Sequence, residues 1–166
     1  MGEVSTIQMF NSPLEIGLRI LFIFNNTKKQ FLDKQRLIYY NYLLVHSSDV
    51  PNSPPSLHPS LPNHACEIFV GGDLISNGLG LLLAKDLLCV KYEKSGIKYK
   101  SNGRTKPFTQ HFASDYSKKI NERAEWVCKT FDELSDQKLA QFMKEKQGTW
   151  GSEFSTEYKI MGELNE

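Results

Sequence analysis

The pattern of apolar positions predicts two helices in the first third of the chain. A nearly continuous apolar segment spans residues 14–24, and the Ser-Pro-Leu-Glu sequence at 12–15 is a typical helix start, with a capping serine and a glutamate three residues later. A second apolar segment, 37–45, follows Asp33, which suits a helix N-cap. Both segments are apolar on most faces. The first helix is therefore predicted to be either the central core helix or part of a subunit interface.

A third helix is joined directly to a predicted hairpin. Gly71-Gly72 indicates a chain break and Asp73 an N-cap, and the apolar residues as far as Leu87 suit a buried helix of about four turns. From Leu88 the apolar residues share one parity and the lysines the other, which predicts two strands with a dry face and a wet, basic face. The short apolar run 67–70 is expected to form a third strand beside them.

An amphipathic stripe predicts a long helix from Asp115, after a helical turn over residues 107–112. The apolar positions of the stripe alternate in steps of four and three and are Tyr116, Ile120, Ala124, Val127, Phe131 and Leu134. Charged residues occupy the opposite side of this helix. The stripe either packs on the rest of the domain or pairs with a copy of itself.

This order of elements is that of a winged helix-turn-helix domain with a hairpin wing. We therefore predict a mostly helical α+β fold, with the winged-helix domain over residues 1–112, a C-terminal helical extension over 113–147 and an acidic tail over 148–166. Any other small α+β domain in which a hairpin caps helices fits the same pattern. The length of 166 residues suits one compact domain with an extension.

Positive charge is concentrated on the predicted hairpin and its exit. The net charge is +1, but residues 91–106 hold six basic side chains and one acid. A surface of this kind can touch phosphates without reading sequence, or it can simply keep the hairpin soluble. The candidate phosphate contacts are Lys91, Lys94, Lys98, Lys100, Arg104 and Lys106. The third helix offers only Ser76, Asn77 and Lys85 for base edges, which argues against sequence-specific DNA reading.

A loop rich in Pro, Ser and His, over residues 46–64, is the one place where chemistry could be concentrated. Its length indicates a functional or disordered segment, and its candidate recognition residues are His46, Asp49, Ser56, Leu57, His58 and Pro59. The spacing of its histidines with Cys66 lacks the paired ligands of a zinc site. Ser56 lacks the glycine-flanked turn of a catalytic serine. We therefore expect no catalytic residues, metal or cofactor, and an internally hydrogen-bonded loop.

The cysteine pattern and the N-terminus indicate a cytoplasmic protein. The three cysteines are widely spaced and lie beside apolar neighbours, as reduced core thiols do. The first residues lack the basic start and apolar run of a signal peptide. The apolar segment 16–24 is interrupted by Arg19 and is too short to cross a bilayer.

Several stretches together resemble the middle component of bacterial ABC-three-component systems. They are the sequence from Asn11 to Leu21, Leu43-Leu44-Val45-His46-Ser47 with Asp49, Pro55-Ser56-Leu57-His58-Pro59 with Pro62, Gly78-Leu79 before the hairpin, and the sequence from Glu122 to Val127. The similarity runs over residues 10 to 131, and the Ser-Leu-His-Pro loop is its most specific part.

The resemblance implies a small, non-enzymatic winged-helix subunit. Such a subunit would bridge an ABC-type ATPase of the chromosome-maintenance class and a third, variable component of antiphage machinery, with a homodimer and non-specific DNA contact as further expectations. A winged-helix transcriptional regulator is the alternative function. A metal-dependent or hydrolytic enzyme centred on the loop is a third, and it predicts bound metal or an activity that depends on His58.

Overall fold

The computed structural model describes residues 11–59 and 64–147. In chain order its elements are helix α1 (Pro13–Asn26), strand β1 (Leu32–Asp33), helix α2 (Lys34–Val45), a 3-10 turn (Ser47–Asp49), helix α3 (His64–Ala84), strands β2 (Leu88–Glu93) and β3 (Gly96–Ser101), helix α4 (Thr105–Thr109), helix α5 (Asp115–Phe131) and helix α6 (136–147). The predicted mostly helical α+β class is confirmed. The acidic tail lies outside the described residues.

Short polar side chains fix the starts of three helices. The Ser12 hydroxyl accepts a hydrogen bond from the Glu15 backbone N–H at 3.2 Å, and the Asp33 carboxylate accepts one from the Arg36 backbone N–H at 2.8 Å. Ser114 caps α5 in the same way. Each cap satisfies a backbone donor that the helix itself leaves free. The predicted starts of α1, α2 and α5 are therefore confirmed.

Helix α1 is the central helix of the core. It contacts α2, α3, α4, α5 and β3, and Ile16, Ile20, Leu21 and Ile23 are fully buried. The apolar stripe of α5 packs into the same core, with its members from Ile120 to Phe131 on the inner side. The apolar faces of 13–24 and 116–134 therefore cover each other. A contact of either face with a second copy or a partner stays a prediction.

The start of α3 differs from the prediction. The helix begins at residue 64, so Gly71 and Gly72 lie inside it, and the run 67–70 is helical instead of forming a strand. A Cβ placed on Gly71 would lie 3.6 Å from Ile38 Cγ2, and one on Gly72 would lie 3.8 Å from Ile38 Cδ1. Both distances are ordinary van der Waals contacts, so the two glycines lie beside Ile38 of α2 without an unusually close approach.

Part of α3 has the composition of a membrane-spanning helix. The segment Glu67–Ala84 is long and apolar enough to cross a bilayer by length and composition, and 33% of it is buried inside the fold. Its buried positions, among them Ile75, Leu79 and Leu82, face α1 and α2. Packing inside the domain accounts for this inner face, and the cytoplasmic location stays a prediction.

The sheet has three antiparallel strands in the order β1-β3-β2. The parity predicted for the hairpin is confirmed, since Val90 lies opposite Tyr99 and Tyr92 opposite Ile97. The third strand is β1, which pairs with β3. The apolar face is dry only at its base, because Tyr92 is 76% and Ile97 45% exposed. The tip of the hairpin therefore extends beyond the helices that cover its base.

Arg36 ties the end of the described chain to α2. Its guanidinium donates to the Asp136 carboxylate and to the Leu134 carbonyl, both at 2.7 Å. The Tyr40 hydroxyl donates to Asp132 at 2.8 Å. Leu139 and Met143 of α6 join the same buried cluster as α1 and α2. The division into domains at residue 112 stays a prediction.

A glycine pair sets the distance between α1 and α3. A Cβ on Gly78 would lie 2.7 Å from Ile16 Cγ2 and 3.2 Å from the Gly17 backbone nitrogen, and a Cβ on Gly17 would lie 3.2 Å from Leu82 Cδ2. Real Cβ atoms essentially never lie within 3.0 Å of another atom, so an alanine at position 78 would require Ile16 to shift, and the 3.2 Å contacts are also tight. Gly80, two residues further along α3, has no neighbour within 4 Å of such a Cβ.

We expect Gly78→Ala to destabilise the fold and Gly80→Ala to stabilise it. At position 78 the added methyl must push the two central helices apart, at a cost of roughly 1–3 kcal/mol. At position 80 it meets open space, and the gain in helix propensity is about 0.5–1 kcal/mol. Urea unfolding followed by circular dichroism measures both changes. Equal effects of the two substitutions would contradict the close crossing.

Candidate functional site

The loop predicted to carry recognition residues buries His46, half-buries four others and leaves Pro59 exposed. The four half-buried residues are Asp49, Ser56, Leu57 and His58. His46 and Ser47 are buried, and Leu57 is half-buried against the core. The backbone N–H groups of Leu57 and His58 both donate to the Val45 carbonyl, at 3.0 and 3.1 Å. The loop thus returns to the end of α2 at its Ser-Leu-His-Pro motif.

Hydrogen bonds within the loop hold it in one conformation. The Ser56 hydroxyl accepts from the Ser48 backbone N–H at 3.0 Å, and the Ser48 hydroxyl accepts from the Ser56 N–H at 2.8 Å. The Tyr42 hydroxyl donates to the Asp49 carboxylate, and burial together with this carboxylate raises the pKa of Tyr42. The Ser47 hydroxyl donates to the carbonyl of Pro54 at 2.8 Å. The expectation of a loop held by its own polar groups therefore agrees with these contacts.

A buried polar network joins this loop to α1, α2 and α5. Arg19, which is 1% exposed, donates to Asn41 Oδ1 and to Glu15 Oε1, each at 3.2 Å. The Tyr116 hydroxyl donates to the same glutamate oxygen at 2.8 Å, and His58 Nε2 lies 3.2 Å from the Tyr116 oxygen. Burial and the hydrogen bond to Glu15 raise the pKa of Tyr116 to about 12.

A second buried histidine connects the loop to α3. His46 Nε2 lies 2.8 Å from Glu67 Oε2, and the His46 and His58 rings meet edge to face with their centroids 6.3 Å apart. Burial lowers the pKa of His58 to about 3, with Arg19 and His46 adding to the shift. His58 is therefore neutral at physiological pH. Its ring contacts Tyr116, and its backbone N–H donates to Val45 at the end of α2.

This arrangement is built for positioning and has little room for a substrate. The cavity beside Arg19, Asn41 and Glu67 measures about 20 Å3, enough for one water molecule. Within residues 11–59 and 64–147, no group of three or more His, Cys, Asp or Glu side chains could hold a metal ion. Ser56 and His58 are directed to different partners, the first to Ser48 and the second to Tyr116.

Acidic side chains nearby neutralise part of the positive charge on the hairpin and its exit. Lys91 pairs with Glu93 at 2.9 Å, Lys98 with Asp33 at 3.4 Å, and Arg104 with Asp86 at 3.1 Å. The hydrogen bond from Lys91 lowers the pKa of Glu93.

The Phe31 ring makes cation–π contacts with two of these lysines. The Lys91 and Lys100 ammonium groups lie 5.0 and 5.6 Å from the centre of its ring. Of the six predicted phosphate contacts, only Lys94 and Lys106 have neither an ion pair nor an aromatic partner in the described part of the chain.

Sequence reasoning missed Glu15, Arg19, Asn41, Glu67 and Tyr116 as members of one network. A signal was present, since Arg19 is the single basic residue of an apolar helix and Glu15 precedes it by one turn. Such a pair indicates that a buried charge has been given a partner. No local sequence signal could have assigned Tyr116 to this network, because it lies 101 residues from Glu15 in the chain.

We expect acid to weaken the fold through His58. Its pKa is lowered from 6.5 to about 3 in the folded state, so the unfolded chain takes up the proton first. Stability is then complete above pH 6.5 and is lost as the pH falls toward 3. Because the ring is half-buried and partly screened, we expect a loss of about 1 kcal/mol between pH 6.5 and 5.

Thermal melts of His58→Gln across this range measure the effect, since the amide can still reach Tyr116 but does not titrate. The slope of the free energy of unfolding against pH should be flatter than in the wild type. The exposed His111→Gln is the matched control and should keep the wild-type slope. An unchanged slope in His58→Gln would contradict the assignment.

The sequence comparisons identify a family for this chain. A family model described as ABC-three component (ABC-3C) system Middle Component 2 matches residues 9–153. No curated protein and no solved structure matches the chain. The match covers the described core, the loop with its polar network and the hairpin. The chain therefore belongs to the Middle Component 2 family of ABC-three-component systems.

Proposed function

We propose that this chain is a non-enzymatic adaptor subunit that bridges the ABC-type ATPase and the effector component of its own system, in a cytoplasmic antiphage defence complex. The observation that carries the proposal is the family match over residues 9–153. A middle component belongs by definition to an assembly with other components, so partners are implied. The identity of each contact and the order of assembly belong to the proposal.

The state of the reactive side chains supports a role without catalysis. Ser56, His58 and Asp49 each serve a hydrogen bond that holds the loop or joins it to a helix. The cavity next to the network admits one water molecule at most. An enzyme needs a pocket in which reactive groups converge on a substrate. The loop would contact a partner only through its exposed rim, which includes Pro51, Asn52, Pro55 and Pro59.

The topology supports a winged-helix domain as the scaffold of the adaptor. The order α1-β1-α2-α3-β2-β3, with β1 paired to β3, suits a helix-turn-helix core with a hairpin wing. In such a domain α3 would occupy the position of the recognition helix. Its exposed positions include Asp73, Ser76 and Asn77, and a single acid with two small polar side chains is a poor reader of base edges.

A transcriptional regulator remains the second candidate because the hairpin is basic. Lys94 and Lys106 are exposed and have no ion pair in the described region. Contacts of this type act on phosphates and carry no sequence information. We therefore place any DNA contact of the complex on the hairpin and expect it to be non-specific.

Co-expression with the other two components of the system tests the adaptor. We expect all three chains to elute as one complex, and the ATPase and effector components to separate when this chain is omitted. The Gly80→Ala variant, which changes an exposed helix position, is a control that should assemble normally. Assembly of the other two components without this chain would overturn the proposal.

Duplex binding separates the adaptor from the regulator. We expect Lys94→Glu with Lys106→Glu to weaken retention of any duplex and to lower the salt slope by about 2, because each lysine neutralises one phosphate. Lys119→Glu with Lys138→Glu, two exposed positions on α5 and α6, is the matched control. Fluorescence anisotropy with unrelated duplexes measures both. A preference of about a thousandfold for one sequence would favour the regulator.

A further inference from the structure

An apolar groove opens between α1, the end of α3, and α4. Its volume is about 390 Å3, within the ~300–1,000 Å3 typical of ligand sites. Its lining includes Leu14, Leu18, Leu21, Leu81, Lys85 and Phe108. Leu14 is 59% exposed and is one of the few large apolar side chains open to solvent in the described part of the chain.

The shape of the groove suits a short helix. Leu14, Leu18 and Leu21 stand at i, i+4 and i+7 on α1 and form one wall. Leu81 of α3 and Lys85, the first residue after that helix, lie on the other side. A wall of this spacing is roughly 10 Å long. An amphipathic helix that places apolar side chains at matching intervals fills such a groove, as in other helix-in-groove complexes.

The charge at the rim indicates an acidic occupant. Lys85 is the only charged residue that lines the groove, and the described residues provide no ion pair for it. A helix with a carboxylate beside its apolar stripe would complement this surface.

A second copy of the chain fits the groove poorly. A two-fold contact brings the same patch of both copies together. Here it would set a concave surface against a concave surface and Lys85 near its own copy. Membership of a multi-component family, by contrast, supplies partners that differ from this chain.

We propose that this groove docks an amphipathic helix from another component of the same ABC-three-component system. The helix would insert apolar side chains at i, i+3 or i+4, and i+7 between α1 and α3, and it would place a carboxylate against Lys85. This inference rests on the proposed adaptor function, for which it specifies the surface and the kind of partner segment.

Overlapping 20-residue synthetic peptides that cover the other two components are the probes. We expect fluorescence anisotropy to detect at least one acidic, amphipathic peptide that binds the full-length chain. Leu14→Glu and Lys85→Glu should each raise its Kd at least tenfold. Leu14→Glu puts an acid in the first turn of α1, where it is compatible with the helix.

Charge exchange identifies the pairing. A peptide in which the key carboxylate is replaced by lysine should recover binding to Lys85→Glu and lose binding to the wild type. The matched controls are Phe69→Glu, at an exposed position outside the groove, and Lys119→Glu on α5, and both should stay within about twofold of the wild type. Circular dichroism melts of every variant check the fold. Equal binding to the groove variants and the controls would overturn the proposal.

Two other occupants give different results. A peptide of residues 148–166 that competes for the groove and is weakened by Leu14→Glu would assign the site to the chain's own tail and overturn the proposal. So would a dimer, detected by light scattering, that Leu14→Glu converts to a monomer.

The complex itself separates the failure of this proposal from that of the adaptor. If the three components co-purify with wild type and with both groove variants alike, the adaptor stands and the groove is not its contact. If the wild type fails to assemble at all, the adaptor proposal itself fails.

Discussion

The buried guanidinium of Arg19 is the constraint on which the rest of the structure depends. Removing a charge from water costs several kcal/mol, and the cost is offset only when each donor finds a well-placed acceptor. Arg19 finds Asn41 on α2, Glu15 one turn earlier on α1, and Asn11 before the helix, at 3.2, 3.2 and 3.4 Å. The core around α1 must therefore keep these elements at fixed distances. Glu15 extends the constraint, since its Oε1 also accepts from Tyr116 of α5.

The loop owes its conformation to the same network. His58 reaches Tyr116, and the Arg123 side chain of α5 donates to the Pro55 carbonyl at 2.9 Å. The stretches through which the chain resembles its family thus meet one another inside the domain: residues 11–21, the Ser-Leu-His-Pro loop and the segment 122–127. A motif of this kind stabilises one arrangement of helices. Its buried side chains therefore serve internal packing, and its role in recognition stays a prediction that concerns the exposed rim.

Local signals predicted much of the fold. The starts of α1, α2 and α5 follow from caps and apolar periods that involve neighbouring residues, and the hairpin parity follows from alternation over two short segments. The start of α3 was not found this way, because Gly71-Gly72 is a local signal for a chain break, whereas both residues lie inside the helix. The pairing of β1 with β3 joins residues that are distant in the chain. The polar network could not be predicted for the same reason, since its members become neighbours only after the helices pack.

The two surfaces proposed for partner contacts differ in chemistry: the hairpin is charged and the groove is apolar. The hairpin and its exit have six basic residues, but nearby acids and Phe31 already engage four of them. Exposed pairs contribute little and are screened by salt. The groove keeps apolar area that nothing in the described chain covers, and its walls belong to helices fixed by Arg19 and by the glycine crossing. A preformed apolar site loses little conformational entropy on binding. Of the two proposed contact surfaces, the groove would therefore provide the larger free energy of binding for a partner.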